Sequence, residues 1–135
     1  MYSNILIPVS LDHSRDVDAS LKVAKALADK NATFTLLHVV EPVPTYVSQY
    51  VPHDYLEHNR EKMTEELEEL AKALPNARIH LATGRAGSRI SRWADENGSD
   101  CIVIASHEPE IADYLLGSTA QHVVRHTKCA VHIVR

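Results

Sequence analysis

The sequence predicts an α/β fold: a doubly wound five-stranded parallel sheet with helices on both faces, forming a single domain over residues 1–135. Two observations lead to this prediction. Short, nearly continuous apolar runs recur along the chain, as in strands that are buried on both faces of a parallel sheet. Amphipathic segments with helical spacing separate these runs. Alternating strands and helices indicate parallel pairing through right-handed crossovers.

The first half of the chain is predicted to contain two strands and two helices, with a long loop before the second helix. Val17, Leu21 and Ala24 recur at helical spacing and define the inner face of the first helix. The loop is rich in proline and tyrosine, and loops of this length are typically functional or mobile. In chain order the predicted strand, helix, strand, loop and helix are Asn4–Val9, Ser14–Asp29, Thr33–Val40, Glu41–Asp54 and residues 56–74.

The second half is predicted to alternate three strands with two helices. Ser88 and Ser118 are candidate N-caps of these helices, because a serine hydroxyl can accept a hydrogen bond from a free amide of the first turn. The final strand is expected at an edge of the sheet, where its exposed backbone would pair with a second copy in a twofold dimer. The predicted strands are Arg78–Ala82, Asp100–Ala105 and Ala130–Val134.

Composition and charge argue against several classes of function. The formal charge of −4 and the lack of a basic stripe disfavour a nucleic-acid surface. The apolar run after Met1 is too short for a signal peptide, and no run approaches the roughly 20 residues of a membrane helix, so no membrane insertion is expected. Cys101 and Cys129 lie in or beside strand-like runs and are expected to be reduced thiols.

A ligand site is predicted at the carboxyl ends of the strands, where doubly wound sheets bind ligands at the point of strand-order reversal. Three stretches should meet there: Pro8-Val9-Ser10, His38–Val40 and Ala105–Thr119. Backbone amides around Val39 and Ile104 are expected to face a flat base, with the side chains lining its faces.

The start of the last helix is the candidate phosphate site. Gly117, Ser118 and Thr119 offer free amides and two hydroxyls at a helix N-terminus, which favours an anion. The alternative is that Gly117-Ser118 is only a turn and N-cap. His107 has two interpretations as well: a contact to phosphate or an acid–base group, or a histidine bonded to the backbone of its own loop.

The sequence does not predict an enzyme. It contains neither a P-loop nor a Gly-x-Gly-x-x-Gly fingerprint, and no nucleophile–histidine pair is evident. His122 and His126 have chelating spacing on one helix, yet no third ligand accompanies them, so no metal site is predicted. For a slow ATPase, the candidate bases beside the loop are His107 and Glu108.

Motifs along the whole chain resemble the universal stress protein family. The loop after the fourth strand and the Val123-Val-Arg-His motif are most similar to the universal stress protein F/G subgroup. The matching motifs are Ile5-Leu-Ile-Pro-Val, Leu36-Leu-His-Val-Val, Ile102-Val-Ile-Ala-Ser-His, Leu115-Leu-Gly-Ser and Cys129-Ala-Val-His-Ile-Val.

This resemblance implies a cytoplasmic Rossmann-like fold with strand order 3-2-1-4-5, a homodimer through the last strand and, as in many members of the family, ATP as ligand, with which Mg²⁺ is expected. A tetramer is the alternative to the dimer. The chain departs from the family's ATP-binding pattern at three positions. Ala105 and Glu108 replace the first two glycines of the loop, and Ser10 replaces the aspartate after the first strand. Glu108 adds negative charge near the phosphates, and Pro109 removes an amide donor.

Three hypotheses follow for the function. The first is a stress-response regulatory module that binds ATP or another adenine nucleotide and acts as a homodimer. The second is a scaffold of the same fold that binds no nucleotide and acts through protein contacts. The third is a slow ATPase. For the first, the predicted binding residues are Pro8, Val9, Ser10, Val39, Ile104, Ala105, His107, Glu108, Gly117, Ser118 and Thr119.

Overall fold

A computed structural model describes residues 1–11, 14–106 and 117–135 of the chain. Within these ranges the predicted strands and helices follow one another in the predicted order, with one additional short helix before the predicted second helix. The strands are β1 (Tyr2–Pro8), β2 (Ala28–Val40), β3 (Ala77–Thr83), β4 (Cys101–Ala105) and β5 (Ala130–Val134). The helices are α1 (Ser14–Leu27), α2 (Thr45–Ser48), α3 (His53–Ala71), α4 (Ala86–Glu96) and α5 (Ser118–His126).

The five strands form one parallel sheet in the order β3-β2-β1-β4-β5. This confirms the predicted five-stranded sheet and the order that the family resemblance implies. The chain leaves β1 in one direction toward β2 and β3, and later returns on the other side of β1 with β4 and β5. The order of the strands therefore reverses between β1 and β4, and β5 lies at an edge.

Two apolar clusters, one on each face of the sheet, form the core. Alternate residues of β1 point to opposite faces, so Ile5 and Ile7 pack with α1 and α3 while Leu6 packs with α4 and α5. Phe34 and Val103 join the first cluster, and Trp93 joins the second. Helices thus cover both faces, as the strand–helix alternation predicted.

The start of β2 differs from the prediction. Ala28 pairs with Tyr2, and the regular register begins only at Asn4 and Thr33, with an irregularity between the two pairs. Ala28 continues the apolar spacing of α1, so the sequence pattern assigned it to the helix. Pairing with β1 instead ends the helix at Leu27, which shows a long-range contact overriding local periodicity.

The segment predicted as a loop contains helical structure. Residues 41–54 include α2, and α3 already begins at His53. The helical spacing of Leu56, Met63, Leu67, Leu70 and Leu74 predicts one inner face for this helix. The prediction is wrong for the amino half, because residues 53–62 are all exposed and Leu56 is 38% exposed. Leu67 is fully buried, so only the carboxyl half of α3 packs on the sheet.

The two serine caps are also wrong. The N-caps of α4 and α5 are Arg85 and Gly117, and neither makes a side-chain cap hydrogen bond. Ser88 lies inside α4, where its hydroxyl donates to the Arg85 carbonyl oxygen at 3.3 Å. Both helices begin earlier than a hydroxyl-capping rule would place them.

Candidate functional site

The candidate site lies where β1 and β4 separate. These neighbours pair only at Ile5–Cys101 and Leu6–Ile102. Beyond that point the Val9 amide donates to the Leu37 carbonyl oxygen in β2 at 2.8 Å, and the Ser106 amide donates to the Val134 carbonyl oxygen in β5 at 2.9 Å. The two strands turn to different partners, and their divergence opens a crevice at the carboxyl edge of the sheet.

The crevice has a volume of about 270 Å³. This is near the lower end of the roughly 300–1,000 Å³ typical of small-molecule sites, and it suits a group of nucleoside size. Elements from both faces of the sheet contribute to its walls. The lining residues are Pro8, Val9, Ser10, Val17, Ser20, Leu37, His38, Val39, Ala86, Ile90, Ile104, Ala105, Ser106, Gly117, Thr119 and Ala120.

The wall on the α4 and α5 side is apolar. Leu37, Ile90 and Ile104 belong to the core cluster of this face and are buried, and Val39 packs against the same cluster. Aliphatic side chains that line a cleft can enclose the faces of a flat ring, since they offer dispersion contact without polar groups to desolvate. This side of the crevice can therefore hold a planar apolar group.

The start of α5 forms one border of the crevice. Gly117 is buried and Thr119 is half-buried, and both line the opening. The Gln121 amide closes the first turn on the Gly117 carbonyl oxygen at 3.0 Å. The amides before it have no acceptor within the helix, so they can donate to an anion at the positive end of the helix dipole.

A glycine on α4 allows α5 to reach this position. A Cβ atom at Gly87 would lie 2.7 Å from the Cβ of His122, which is closer than side chains approach one another. Only glycine permits this packing of α5 on α4. The pattern Gly84-Arg-Ala-Gly-Ser88 predicts only a turn at Gly87, whereas this glycine lies within α4.

The His38 side chain stabilises the turn after β1 through a hydrogen bond. Its Nδ1 lies 2.8 Å from the carbonyl oxygen of Val9. Because a carbonyl oxygen only accepts, the ring must carry its proton on Nδ1 and donate it. Together with the bond from the Val9 amide to Leu37, this holds Val9 to β2 through both of its backbone polar groups.

The crevice brings together most of the predicted binding residues: Pro8, Val9, Ser10, Val39, Ile104, Ala105, Gly117 and Thr119. Ser118 is exposed as the first residue of α5 and is not among the lining residues. His107 and Glu108 lie outside the described residues.

Several lining residues were not among the predicted binding residues, and three of them, Ser20, His38 and Ser106, are polar. Ser20 interrupts the apolar face of α1 between Val17 and Leu21. A hydroxyl on the inward face of a helix is the sequence signal that could have indicated this lining residue. His38 belongs to a stretch that was predicted to meet here, although its place on a strand favours a structural role; it both lines the crevice and bonds to Val9. Ala86, Ile90 and Ala120 have no sequence signal beyond helical spacing.

None of the described residues that line the crevice is an aspartate or glutamate, and Ser10 is an exposed serine. In these parts of the chain no group of three potential metal-ligating side chains occurs. His122 and His126 stack instead, with ring centroids 4.0 Å apart and an interplanar angle of 19°. Mg²⁺ prefers phosphate and water oxygens over an all-protein cage, so these residues fit an ion carried by a ligand's phosphates.

The cysteines lie away from the crevice lining. Cys101 is buried in β4, and burial, followed by the nearby Cys129 and Asp100, raises the pKa of its thiol to about 11. Such a thiol is a poor nucleophile because little thiolate forms near neutral pH. Among the described residues, no helix has the length and apolar character needed to cross a bilayer.

The family model for the universal stress protein family matches residues 1–135. Universal stress protein G of Escherichia coli O157:H7 is 30% identical over 142 aligned residues, which cover 100% of both chains. Universal stress protein A homolog 2 of Coxiella burnetii is also 30% identical and covers 99% of this chain and 95% of that protein. The match to a protein named G agrees with the resemblance to the F/G subgroup.

Solved structures share the fold. The hypothetical protein MJ0577 has a TM-score of 0.82 at 23% identity, covering 99% of this chain and 96% of its own. A universal stress protein in complex with cAMP has a TM-score of 0.66 at 24% identity, with coverages of 99% and 97%. One from Archaeoglobus fulgidus in complex with dAMP has a TM-score of 0.66 at 16% identity, with coverages of 99% and 98%. With the full-length family match, the chain belongs to the universal stress protein family.

Proposed function

We propose that this protein is an adenine-nucleotide-binding regulatory module of the stress response that acts as a homodimer in the cytoplasm. The observation that carries the proposal is the crevice between β1 and β4. One of its walls is apolar and suits a base, and the free amides at the start of α5 border it and suit a phosphate. ATP with Mg²⁺ is the expected ligand, with AMP as the smaller alternative.

Relatives of the same fold support an adenine nucleotide. Two similar structures contain cAMP and dAMP. Both ligands combine an adenine base, a sugar and one phosphate, which is the chemistry that the apolar wall and the helix start can accommodate. The lack of a carboxylate among the described lining residues favours a Mg²⁺ ion that arrives with ATP over one held by the protein.

The dimer is proposed through β5. This strand lies at the edge of the sheet, and its side chains are half-buried or exposed. Addition of the same strand from a second copy would satisfy the edge backbone groups and cover Val131, Ile133 and Val134. Sedimentation equilibrium should give twice the chain mass. Val131→Pro removes an amide from the open side of β5, because the Val134 carbonyl oxygen and the groups two residues apart from it face β4, and this variant should yield monomers. A stable monomer of the wild type would contradict the dimer.

Isothermal titration with ATP, AMP and cAMP, with and without Mg²⁺, tests nucleotide binding. The variant Ala86→Phe should abolish binding, because a phenyl ring would fill the crevice from α4. Ala26→Phe is the matched control, since Ala26 is exposed on α1. If the wild type gives no heat of binding at millimolar nucleotide, the proposal is wrong.

A scaffold that binds no nucleotide is the second candidate, and an exposed apolar segment favours it. Tyr46 and Tyr50 are 72% and 85% exposed, and Val43, Tyr55 and Leu56 are exposed nearby. Such a cluster suits contact with another protein. Mass spectrometry of denatured, freshly purified protein decides between the candidates, because a co-purified adenine nucleotide would exclude a scaffold without ligand.

The module is proposed to bind without catalysis. No general base is identified among the described lining residues except His38, whose Nδ1 is engaged with Val9. Release of inorganic phosphate from ATP should equal that of a protein-free control over hours. Hydrolysis abolished by Ala86→Phe, but not by Ala26→Phe, would assign an ATPase to the crevice.

A further inference from the structure

The wall of the crevice formed by α1 contains a buried hydroxyl without a hydrogen-bond partner. Ser20 lies in the interior of α1, lines the crevice and is 2% exposed. Among the residues that the structure describes, its hydroxyl has no partner. A buried hydroxyl of this kind costs folding free energy, and native proteins rarely retain one without a reason.

The hydroxyl of Ser20 faces the open volume. Within the described ranges, the side-chain polar atoms that are both sealed from solvent and unpaired are Asn4 Oδ1 and Ser99 Oγ. The Ser20 oxygen is not one of them. The small surface that Ser20 exposes therefore includes its oxygen, and this surface belongs to the crevice that the residue lines.

Among the described serines that are buried as whole residues, Ser91 and Ser106 satisfy their hydroxyls internally. Ser91, in the interior of α4, donates to the Gly87 carbonyl oxygen one turn earlier at 3.1 Å, which is the usual solution for a serine within a helix. The Ser106 hydroxyl donates to the Val134 carbonyl oxygen at 3.4 Å. Ser20 makes neither kind of bond, so its hydrogen-bonding capacity is left for whatever enters the crevice.

We propose that Ser20 is a specificity-determining residue that forms one hydrogen bond with the nucleoside part of the bound nucleotide. This inference rests on the proposed function. A phosphate is disfavoured beside Ser20, because the middle of a helix offers no free amides and the neighbouring side chains Val17, Leu21 and Ala24 are apolar. A neutral hydroxyl or amine of a nucleoside meets neither difficulty.

Titration of adenosine and AMP into the wild type and the Ser20→Ala variant tests the inference. Loss of one neutral hydrogen bond should weaken both ligands by the same factor, about three- to tenfold. Ser91→Ala is the matched control, since it is also a serine-to-alanine change inside a helix but lies outside the crevice lining. Its affinity for both ligands should equal that of the wild type.

Thermal unfolding of the ligand-free proteins provides an independent readout. Ser20→Ala removes an unpaired hydroxyl and should raise the melting temperature by about 1–3 °C. Ser91→Ala removes a paired hydroxyl and should not raise it. A merely structural serine would show the opposite order, with Ser20→Ala melting at or below the wild-type temperature.

Three results would overturn the inference, and they are distinguishable. Equal affinity of the wild type and Ser20→Ala for adenosine and AMP removes the contact while the proposed function stands. A loss confined to AMP moves the contact to the phosphate. If the wild type binds neither ligand, the proposed function itself fails.

Discussion

The two ends of the β1–β4 pair are built in opposite ways. At the amino end, the Asp100 carboxylate accepts hydrogen bonds from the Ser3 amide, the Ser3 hydroxyl and the Asn4 amide at 2.9, 3.0 and 3.0 Å. The Asn4 side-chain amide also donates to the carbonyl oxygens of Asn97 and Gly98, both at 3.0 Å. At the carboxyl end the strands separate after Leu6 and Ile102, and the crevice opens between them.

This difference separates stability from recognition. At the closed end the Asp100 carboxylate and the Asn4 side-chain nitrogen are bonded within the protein, so these groups hold the two strands together and are not available to a ligand. The open end leaves the amides at the start of α5 and the Ser20 hydroxyl available to a ligand. Substitutions at the closed end should therefore change folding, whereas substitutions at the open end should change binding.

The largest effect is expected for Leu6→Ala, at the point where the two strands separate. Leu6 belongs to β1, and its side chain is fully buried on the face of the sheet that α4 and α5 cover. Removing its side chain should lower the free energy of unfolding by about 3 kcal/mol, through lost transfer energy and the cavity left behind. Urea denaturation measures this loss. Leu56→Ala, at an exposed leucine, should cost less than about 1 kcal/mol, and equal losses would contradict the assignment of Leu6 to the core.

The closed end is tested by Asp100→Ala. The variant leaves the amides of Ser3 and Asn4 without their acceptor and should lose about 2 kcal/mol of unfolding free energy. AMP affinity should stay within about twofold of the wild type, because Asp100 lies at the other end of the strands. Asp95→Ala, at an exposed aspartate of α4, should leave the unfolding free energy nearly unchanged. A large loss of affinity in Asp100→Ala would show that the two ends are coupled.

The Asp100 carboxylate should also make the free energy of unfolding depend on pH in the acidic range. Burial alone would raise the pKa of Asp100, but the hydrogen bonds from Ser3 and Asn4 outweigh it and hold the pKa below its ordinary value of 3.8. The stabilisation is therefore complete above pH 3.8 and is lost as the pH falls through the lower pKa of the folded protein. Urea midpoints of the wild type and Asp100→Asn should converge below this value. A constant difference across the acid range would exclude Asp100 as the cause.

The smallest effect concerns the open end, where His38 holds the carbonyl group of Val9. His38→Leu removes the donor and should weaken AMP binding by about fivefold, since the turn after β1 is then less well positioned. His38→Asn places an amide donor near the position of Nδ1 and should restore most of the affinity. If both variants bind alike, the hydrogen bond to Val9 does not position the site.

Sequence patterns were sufficient where many residues point to one answer. The apolar runs of β1, β2 and β4 and the spacing in α1 predicted the sheet and its covered faces, because burial on both faces leaves a signal in every residue. The reversal of strand order, once implied, predicted a crevice near Pro8, Val39 and Gly117. These features survive errors of a few residues at the element ends.

Single contacts between distant residues were not predictable. Asp100 is one aspartate at a strand entry, and nothing in its neighbourhood indicates that Ser3 and Asn4 lie beside it. Ala28 followed the periodicity of α1 but pairs with Tyr2. The N-caps failed for a related reason: packing of the helices on the sheet set their first residues at Ala86 and Ser118, whatever hydroxyl was available nearby.

The sequence by itself determined the α/β class, the family resemblance and the edge of the sheet at which the crevice lies, since each depends on a pattern that recurs along the chain. The tertiary structure alone decided which residues line the crevice and which close the opposite end of the strands. It brought Ser20 from the middle of α1 to the crevice wall, joined His38 to Val9, and closed the opposite end with Asp100. These placements depend on distances between residues that are far apart in the sequence, and local sequence patterns do not report such distances.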